Sequence, residues 1–305
     1  MLLEEFVSGT ANGYIKAERY LNDGSPSGFS EVNTTSENTR PQSSNPSFPL
    51  KQIKFNQDIF IEDIGEYRSN YLKNECIFVH PDILDINGLL HKSSYSLDDE
   101  LLVAPTASGR TVLALEKNYF VKLAYLGYLG RLIRHLNGEI IRSACAVTNQ
   151  LMDAVKTNKL NDSFSILRED FGRVAHIPIS ILSPSGVELT LNTKGCYELG
   201  VLFREPKPYP YIQEDEFLIP FFALFSREYD PHTEKPLSRQ DKPLLIQLFE
   251  KQTKSIEDFL LEDLLFPIFN TYFDALIFAG VELEAHAQNM LLTINSDYQI
   301  ERIVC

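Results

Sequence analysis

The sequence is short of the features that mark several common protein classes. Cysteine occurs four times in 305 residues, at Cys76, Cys145, Cys196 and Cys305, too widely spaced for a CxxC pair or a compact metal knuckle. A disulfide scaffold and a zinc ribbon are thereby excluded, and the four are read as free thiols. No apolar run reaches the roughly 20 residues that cross a bilayer, and Met1-Leu2-Leu3-Glu4-Glu5 is acidic where a secretory leader is basic. No membrane partner is expected, and the cytoplasm is the expected compartment. Basic residues are in deficit: 28 Lys and Arg against 42 Asp and Glu leave a formal charge of -14, a field that repels nucleic acid. There is no GxGxxG fingerprint, no Walker loop and no internal repeat. Any nucleotide must therefore be held by another device.

What is present is a hydrophobic fraction of 44%, enough at this length for a substantial core. Residues 1–50 read as a short N-terminal piece followed by a polar arm from Asn22 to Phe48, rich in Ser, Thr, Asn, Gly and Pro, whose ordering apolar burial cannot offset. Residues 51–305 read as the folded body. Ile53-Lys54-Phe55, Ile59-Phe60-Ile61 and Cys76-Ile77-Phe78-Val79 suggest strands, the last ending at His80-Pro81. Tyr119-Phe120-Val121-Lys122-Leu123 begins a strand or helix, and Leu126, Leu129, Leu132 and Ile133 follow at broadly helical spacing up to Arg134. Ser185-Gly186 punctuates two strands, and Leu199 to Arg204 is a buried strand stopped by Pro206, Pro208 and Pro210. Leu244 to Phe278 is helical, with Pro267 at a helix start or kink. Val281 to Glu284 alternates, and Met290–Ile294 with Ile300–Val304 forms a hairpin through Asn295-Ser296-Asp297. Strands with a few long helices give an α+β class.

Three groups of residues carry chemistry. Ser108-Gly109-Arg110-Thr111 with Lys122 and Arg134 offers hydroxyls, loop amides and two kinds of cation suited to phosphate oxygens, although each arginine is also explained as a solvated or ion-paired side chain. In the stretch from Glu282 to Asn289, a strand would put Glu282, Glu284, His286 and Gln288 on one face, and a helix would put Glu282, His286 and Asn289 there. A carboxylate and an amide oxygen suit magnesium better than zinc, and a surface or capping role is the competing account. Arg204, at a strand exit, either binds substrate or pairs with the neighbours of Glu205. Turn or surface roles are expected for His80 and for His91-Lys92, a structural role for His176, and no thiol chemistry for Cys145.

At these residues the chain resembles the IucA/IucC family, the siderophore synthetases that work independently of nonribosomal peptide synthetases. Ser108-Gly109-Arg110-Thr111, the Lys122 to Arg134 segment, Gly200-Val201-Leu202-Phe203-Arg204-Glu205 and Leu283-Glu284-Ala285-His286-Ala287-Gln288-Asn289 carry the resemblance, over roughly residues 75 to 305. The resemblance implies a partial synthetase fold: a fingers-like mixed sheet and an ATP-binding palm, without the usual C-terminal region. It implies an ATP- and Mg2+-dependent ligase that activates citrate or a related carboxylate as an acyl-adenylate. A polyamine, hydroxylamine or alcohol nucleophile then condenses with it. By resemblance Ser108, Arg110, Thr111, Lys122, Arg134 and Arg204 hold the nucleotide, Glu284 and Asn289 bind Mg2+, and His286 lies beside the reacting phosphate, with Arg110, Lys122 and His286 as the catalytic set. A homodimer or a complementary synthetase chain is the implied protein partner.

Family members are about twice this long, carry an early histidine-rich substrate motif, and continue into an Arg-Asp pair that completes the magnesium shell. The expectation is therefore a shortened member. Two other readings stay open: a catalytically incomplete accessory protein that binds nucleotide or carboxylate, and an acidic interaction protein acting through the polar arm.

Overall fold

A computed structural model describes the chain except residues 8–9, 22–35, 67–70, 74, 86–87, 118, 130–131, 184–188, 212–214, 231–234 and 237–241. The chain divides into two compact units: residues Met1–Phe29, Val147–Arg168 and Lys207–Cys305 form the first, and Ser30–Ala146 with Glu169–Pro206 form the second. The described residues before residue 22 fall in the same unit as residues 207–305.

In the second unit, numbering elements in chain order, strands β1 (Phe48–Phe55), β2 (Phe60–Gly65), β3 (Cys76–Val79), β4 (Tyr95–Pro105), β5 (Thr111–Ala114), β6 (Tyr119–Leu123), β10 (Phe171–Pro178) and β11 (Cys196–Arg204) form one sheet. Its order is β2-β10-β11-β6-β5-β4-β1-β3, and every neighbouring pair is antiparallel. The expected strands are there; this sheet is antiparallel throughout, only β4-β5, β5-β6 and β10-β11 join neighbours that follow one another, and the parallel pair that makes a sheet mixed lies in the other unit. Strands β10 and β11 are buried on both faces through Val174, Ala175, Leu199, Val201, Leu202 and Phe203. That double burial explains their nearly unbroken apolar sequence.

The stretch expected to be helical up to Arg134 is instead a hairpin, β7 (Tyr125–Leu129) and β8 (Leu132–Arg134), with a register irregularity between Tyr125 and Tyr128. The helix comes immediately after it. Helix α4 (Gly138–Lys156) is capped by Asn137, whose Oδ1 accepts the amide of Ile140 at 3.0 Å. Ile141, Cys145, Thr148 and Leu151 repeat along it at helical spacing and are buried. Its first turn needs glycine beneath it. A Cβ on Gly200 would stand 2.4 Å from the carbonyl oxygen of Leu136 and 2.8 Å from Ile141 Cδ1.

His80 leaves β3 as expected but is completely buried rather than placed at the surface. Its Nδ1 accepts the amide of Asp82 in the short helix α3 (Pro81–Asp85), and burial pushes its pKa down to about 4 against the opposing charge of Asp82. Asp82 Oδ2 also accepts from the Ser36 amide at 2.9 Å, Thr39 Oγ1 at 3.1 Å and Tyr125 Oη at 3.1 Å. The described end of the expected polar arm is therefore structured: Thr39, Gln42 and Ser43 are buried and β1 starts at Phe48. The hydrogen bonds to Asp82 supply what apolar burial could not. The rest of the arm, residues 22–35, and Ser185-Gly186 lie outside the described residues.

The first unit carries α1 (Glu4–Val7) and α2 (Thr10–Tyr20), with Leu3, Phe6 and Ala17 buried. Its four-stranded sheet has the order β12 (Phe217–Pro220), β15 (Leu291–Ile294), β16 (Ile300–Val304), β9 (Phe164–Ser165), and the last pair is parallel. The hairpin expected at residues 290–304 is β15 and β16. A two-residue pair, β13 (Tyr229–Asp230) and β14 (Lys235–Pro236), lies between β12 and the helical region. Helix α5 (Leu244–Glu250) is followed by α6 (Ile256–Asp258), a π-helical stretch at Phe259–Leu265 and α7 (Phe266–Phe278), with Pro267 in the first turn of α7 as expected. Helix α7 turns Thr271 and Ala275 inward and leaves Phe266, Phe269, Phe273, Leu276 and Ile277 exposed. Among the described residues no helix is long and apolar enough to cross a membrane. The four cysteines are free thiols, as expected.

The close seat of α4 on β11 gives a direct test. Gly200→Ala is expected to destabilise the fold by about 1–3 kcal/mol, because the opposing Leu136 carbonyl belongs to backbone that cannot swing aside. Thermal unfolding checks it; an unchanged midpoint would show that the strand and helix can separate without cost.

Candidate functional site

Strand register builds the first cluster. Thr111 on β5 pairs with Lys122 on β6, and Phe120, two residues before Lys122, pairs with Arg204 on β11. Paired residues share a face, and so do alternate residues on one strand, so Thr111, Lys122 and Arg204 stand on the same side of three adjacent strands. The turn joining β4 to β5 contributes Ser108, Gly109 and Arg110. Gly109 has φ +70°, a left-handed conformation that favours glycine. The turn is closed by Thr106 Oγ1, which donates to the Thr111 carbonyl at 2.7 Å, and by Ser108 Oγ, which accepts the Thr111 amide at 2.8 Å. Ser108 thus shapes the loop from within.

Arg110 reaches the hairpin that follows β6: its Nη1 donates to the carbonyls of Arg134 and His135 at 3.4 and 3.5 Å. Burial lowers the Arg110 pKa to about 10, and the charges of Arg134 and Arg204 add to that effect while Glu169 opposes it. Arg134 itself is exposed on β8. Arg204 has a partner in Glu169: Glu169 Oε1 accepts from Arg204 Nε at 2.9 Å and Nη2 at 2.6 Å, and from Lys122 Nζ at 3.4 Å. Sequence reasoning missed Glu169. The available signal was the charged run Arg168-Glu169-Asp170 wedged between Ile166-Leu167 and the buried strand opening at Phe171.

Burial by itself raises the Glu169 carboxyl, but the charges of Arg204 and then Lys122, with their hydrogen bonds, hold it at about 2. Lys122 is pushed down by burial and by Arg204 and Arg110, and Glu169 pulls it back. Four cations, Arg110, Lys122, Arg134 and Arg204, therefore gather on a local surface of a strongly acidic chain.

The second cluster is in the other unit. Glu282 to Asn289 forms neither the strand nor the helix that the sequence suggested, but a compact turn before β15. The His286 amide donates to the Glu284 carbonyl at 2.9 Å, and the Asn289 amide to the His286 carbonyl at 2.9 Å. The turn brings the three side chains together all the same. Asn289 Nδ2 donates to Glu284 Oε2 at 2.9 Å and lies 3.3 Å from His286 Nε2, which is 3.5 Å from Glu284 Oε1. His286 Nδ1 accepts the Gln288 amide at 3.2 Å, so in the neutral ring the proton sits on Nε2. Among the described residues no group of three or more His, Cys, Asp and Glu side chains is placed to hold a metal ion. Glu284 and Asn289 fit magnesium in donor type, since that ion takes one or two protein oxygens and completes its shell with phosphate and water. The cationic cluster fits a polyphosphate.

Comparison with known proteins follows the same lines. Residues 91–226, which contain Ser108, Arg110, Thr111, Lys122, Arg134 and Arg204, match the model of the IucA / IucC family; Glu284, His286 and Asn289 lie outside the matched stretch. No match was found among curated protein sequences. The chain shares its fold with the petrobactin biosynthesis protein AsbB of Bacillus anthracis str. Sterne, at 18% identity and TM-score 0.64, covering 95% of this chain and 52% of that one. It is similar in fold to the aerobactin synthetase IucC of a hypervirulent Klebsiella pneumoniae pathotype, at 18% identity and TM-score 0.64, covering 93% of this chain and 52% of that one. The ATP-bound aerobactin synthetase IucA of the same pathotype matches at 15% identity and TM-score 0.67, covering 98% and 56%. The chain thus spans about half the length of the solved structures it matches.

The ion pairs of Glu169 make a pH-dependent contribution to stability. A carboxyl held at about 2 instead of the usual 4.5 stabilises the fold fully above about 4.5, and that share is lost as the pH falls toward about 2. Glu169→Gln is expected to cost about 2 kcal/mol at neutral pH. It should also flatten the acid fall of the urea midpoint; parallel acid limbs for the two proteins would overturn this assignment.

Proposed function

We propose that the chain supplies the nucleotide-binding part of an ATP-dependent, siderophore-synthetase-like ligase. The observation that carries this reading is the cradle on the sheet face: Thr111, Lys122 and Arg204 aligned by register, with Arg110 drawn beside them. The partial family match and the fold shared with an ATP-bound aerobactin synthetase support it. In this reading the triphosphate of ATP is held by Arg110, Lys122, Arg134 and Arg204, with the loop at Ser108 and Thr111 presenting amides and hydroxyls. Glu284 and Asn289 would hold Mg2+, which supplies charge neutralisation and orients the phosphates. His286 would lie beside the reacting phosphate.

The chemistry proposed for such a ligase is carboxylate activation. A carboxylate oxygen of citrate or a related acid attacks the α-phosphorus of ATP, the α-to-β bridging oxygen leaves with pyrophosphate, and the cations stabilise the charge that accumulates on the leaving group. The product is an acyl-adenylate. An amine, hydroxylamine or alcohol then attacks the acyl carbon, forming an amide or ester and releasing AMP. Donors fixed on strands before ligand arrives spend little of their binding energy on reorganisation. A homodimer or a complementary synthetase chain is the proposed protein partner, and the cytoplasm, where ATP is supplied, the proposed compartment.

One observation favours a second reading. Glu284 and Asn289 are bonded to each other at 2.9 Å, so magnesium must break that contact to use both. An accessory protein that binds nucleotide without turning it over fits this arrangement. One experiment separates the two readings. Calorimetric titration with MgATP is expected to show binding that Lys122→Met or Arg110→Met weakens at least about tenfold, the loss of one charge-assisted contact of ~1.4 kcal/mol. Acid-dependent exchange of labelled pyrophosphate into ATP, run with citrate and a panel of polycarboxylates, should then appear for a ligase and be absent for a binding protein. Unaltered MgATP affinity in both variants would sink the cradle assignment.

A further inference from the structure

We propose that Glu169 is a positioning residue of the cationic cradle: its Oε1 clamps Lys122 and Arg204 into a single donor surface, and its charge balances that surface when no anion is bound. Its consequence for ligand binding rests on the phosphate reading given above; its consequence for Lys122 does not. Glu169 precedes β10, Arg204 ends β11 and Lys122 sits in β6, three successive strands of the sheet. One oxygen receives Arg204 Nε at 2.9 Å, Arg204 Nη2 at 2.6 Å and Lys122 Nζ at 3.4 Å. The side-on contact through Nε and Nη2 fixes the plane of the guanidinium, which a single bond would leave free to swing. The three side chains are 13%, 33% and 22% exposed for Glu169, Arg204 and Lys122, so the pair is shielded but open on one side.

The charges explain why a carboxylate is needed in a site read as anion-binding. Lys122 faces Arg204 from β11 and Arg110 from the turn before β5, both of which disfavour its proton, as burial does. Glu169 is the group that favours it. Glu169 in turn is felt by Cys145 on α4, as is the adjacent Asp170. Without Glu169 the lysine would have burial and two arginines against its charge, and would lose the carboxylate that favours the proton a phosphate contact uses. A polyphosphate brought to the cradle replaces the balance that Glu169 maintains in its absence.

The test reads Lys122 directly and the cradle separately. Lysines of the whole chain are reductively methylated with 13C-formaldehyde and titrated by NMR, the Lys122 signal being assigned by its loss in Lys122→Arg. In Glu169→Gln the signal is expected to titrate at least about one pH unit lower than in the unaltered chain. Glu169→Asp, which keeps the charge, should restore most of that shift. Arg204→Gln should move Lys122 the opposite way, upward, because it removes a repelling cation and leaves Glu169 to Lys122. A general loosening of the fold would shift all three variants in one direction, and an unshifted Lys122 in Glu169→Gln would overturn the proposal; if that variant does not fold, the upward shift in Arg204→Gln decides the matter alone.

Binding of inorganic tripolyphosphate and of MgATP is then measured at pH 7 and pH 9. Glu169→Gln should lose about tenfold more affinity across that interval than the unaltered chain, as expected when a phosphate contact loses its charge. Equal losses in the two proteins would overturn the role in ligand binding. If Lys122 shifts as expected and the unaltered chain binds neither anion at either pH, the clamp stands and the phosphate reading falls.

Discussion

The antiparallel register of β5, β6 and β11 is the constraint on which the candidate chemistry depends. Side chains alternate along a strand, so a slip of one residue between β6 and β11 would turn Arg204 to the face opposite Lys122. It would also bring Arg204 toward the side now held by the buried Val201 and Phe203. The core thus enforces the alignment of the charges. Phe203 packs parallel to Tyr71, with ring centroids 4.7 Å apart, and against Phe171 at 5.5 Å, so the side of β11 facing away from Arg204 is locked by aromatic contacts. The same strand is pinned by α4 over Gly200, where the approach is too close for any side chain. Apolar packing sets where the cations stand; the cations do not set the packing.

Local charge and global charge oppose each other here. The formal charge of -14 repels a triphosphate at long range, but a field from exposed carboxylates is screened over about 8–10 Å in physiological salt. Half-buried cations at contact distance act through a lower effective dielectric, where a unit pair at 4 Å is worth several times its value in water. The near term therefore wins at the cradle.

Much of this was legible in the sequence where one local signal dominated. The 290–304 hairpin, the β11 strand with its proline stop and the helix opening at Pro267 each carry a period or a breaker that tertiary context does not reverse. The stretch from Leu126 to Ile133 misleads because Leu126, Leu129 and Leu132 satisfy a helix spacing while the bulge between Tyr125 and Tyr128 breaks the strand period. His80 and Thr39 were misplaced for another reason: their burial depends on Asp82, a partner that composition does not reveal. Glu169 escaped notice in the same way. Its role is defined by Arg204 and Lys122, 35 and 47 residues distant along the chain, and strand pairing alone brings them together.

The two clusters solve the same problem of preorganisation by different means. On the sheet, the cations are held by strands and by the Glu169 carboxylate that bonds Lys122 and Arg204. On the turn before β15, Glu284, His286 and Asn289 are held by one another, with backbone bonds closing the loop. A strand-borne site keeps its spacing to fractions of an ångström and suits a ligand of fixed geometry such as a polyphosphate. A self-bonded exposed turn can rearrange at modest cost, which suits a hydrated ion whose shell changes as phosphate oxygens enter it. In both clusters the ordering of long side chains, about 0.5–1.5 kcal/mol for each, is met when the chain folds. The rigid element thereby aligns charge, and the self-bonded turn gathers polar side chains that stay exposed.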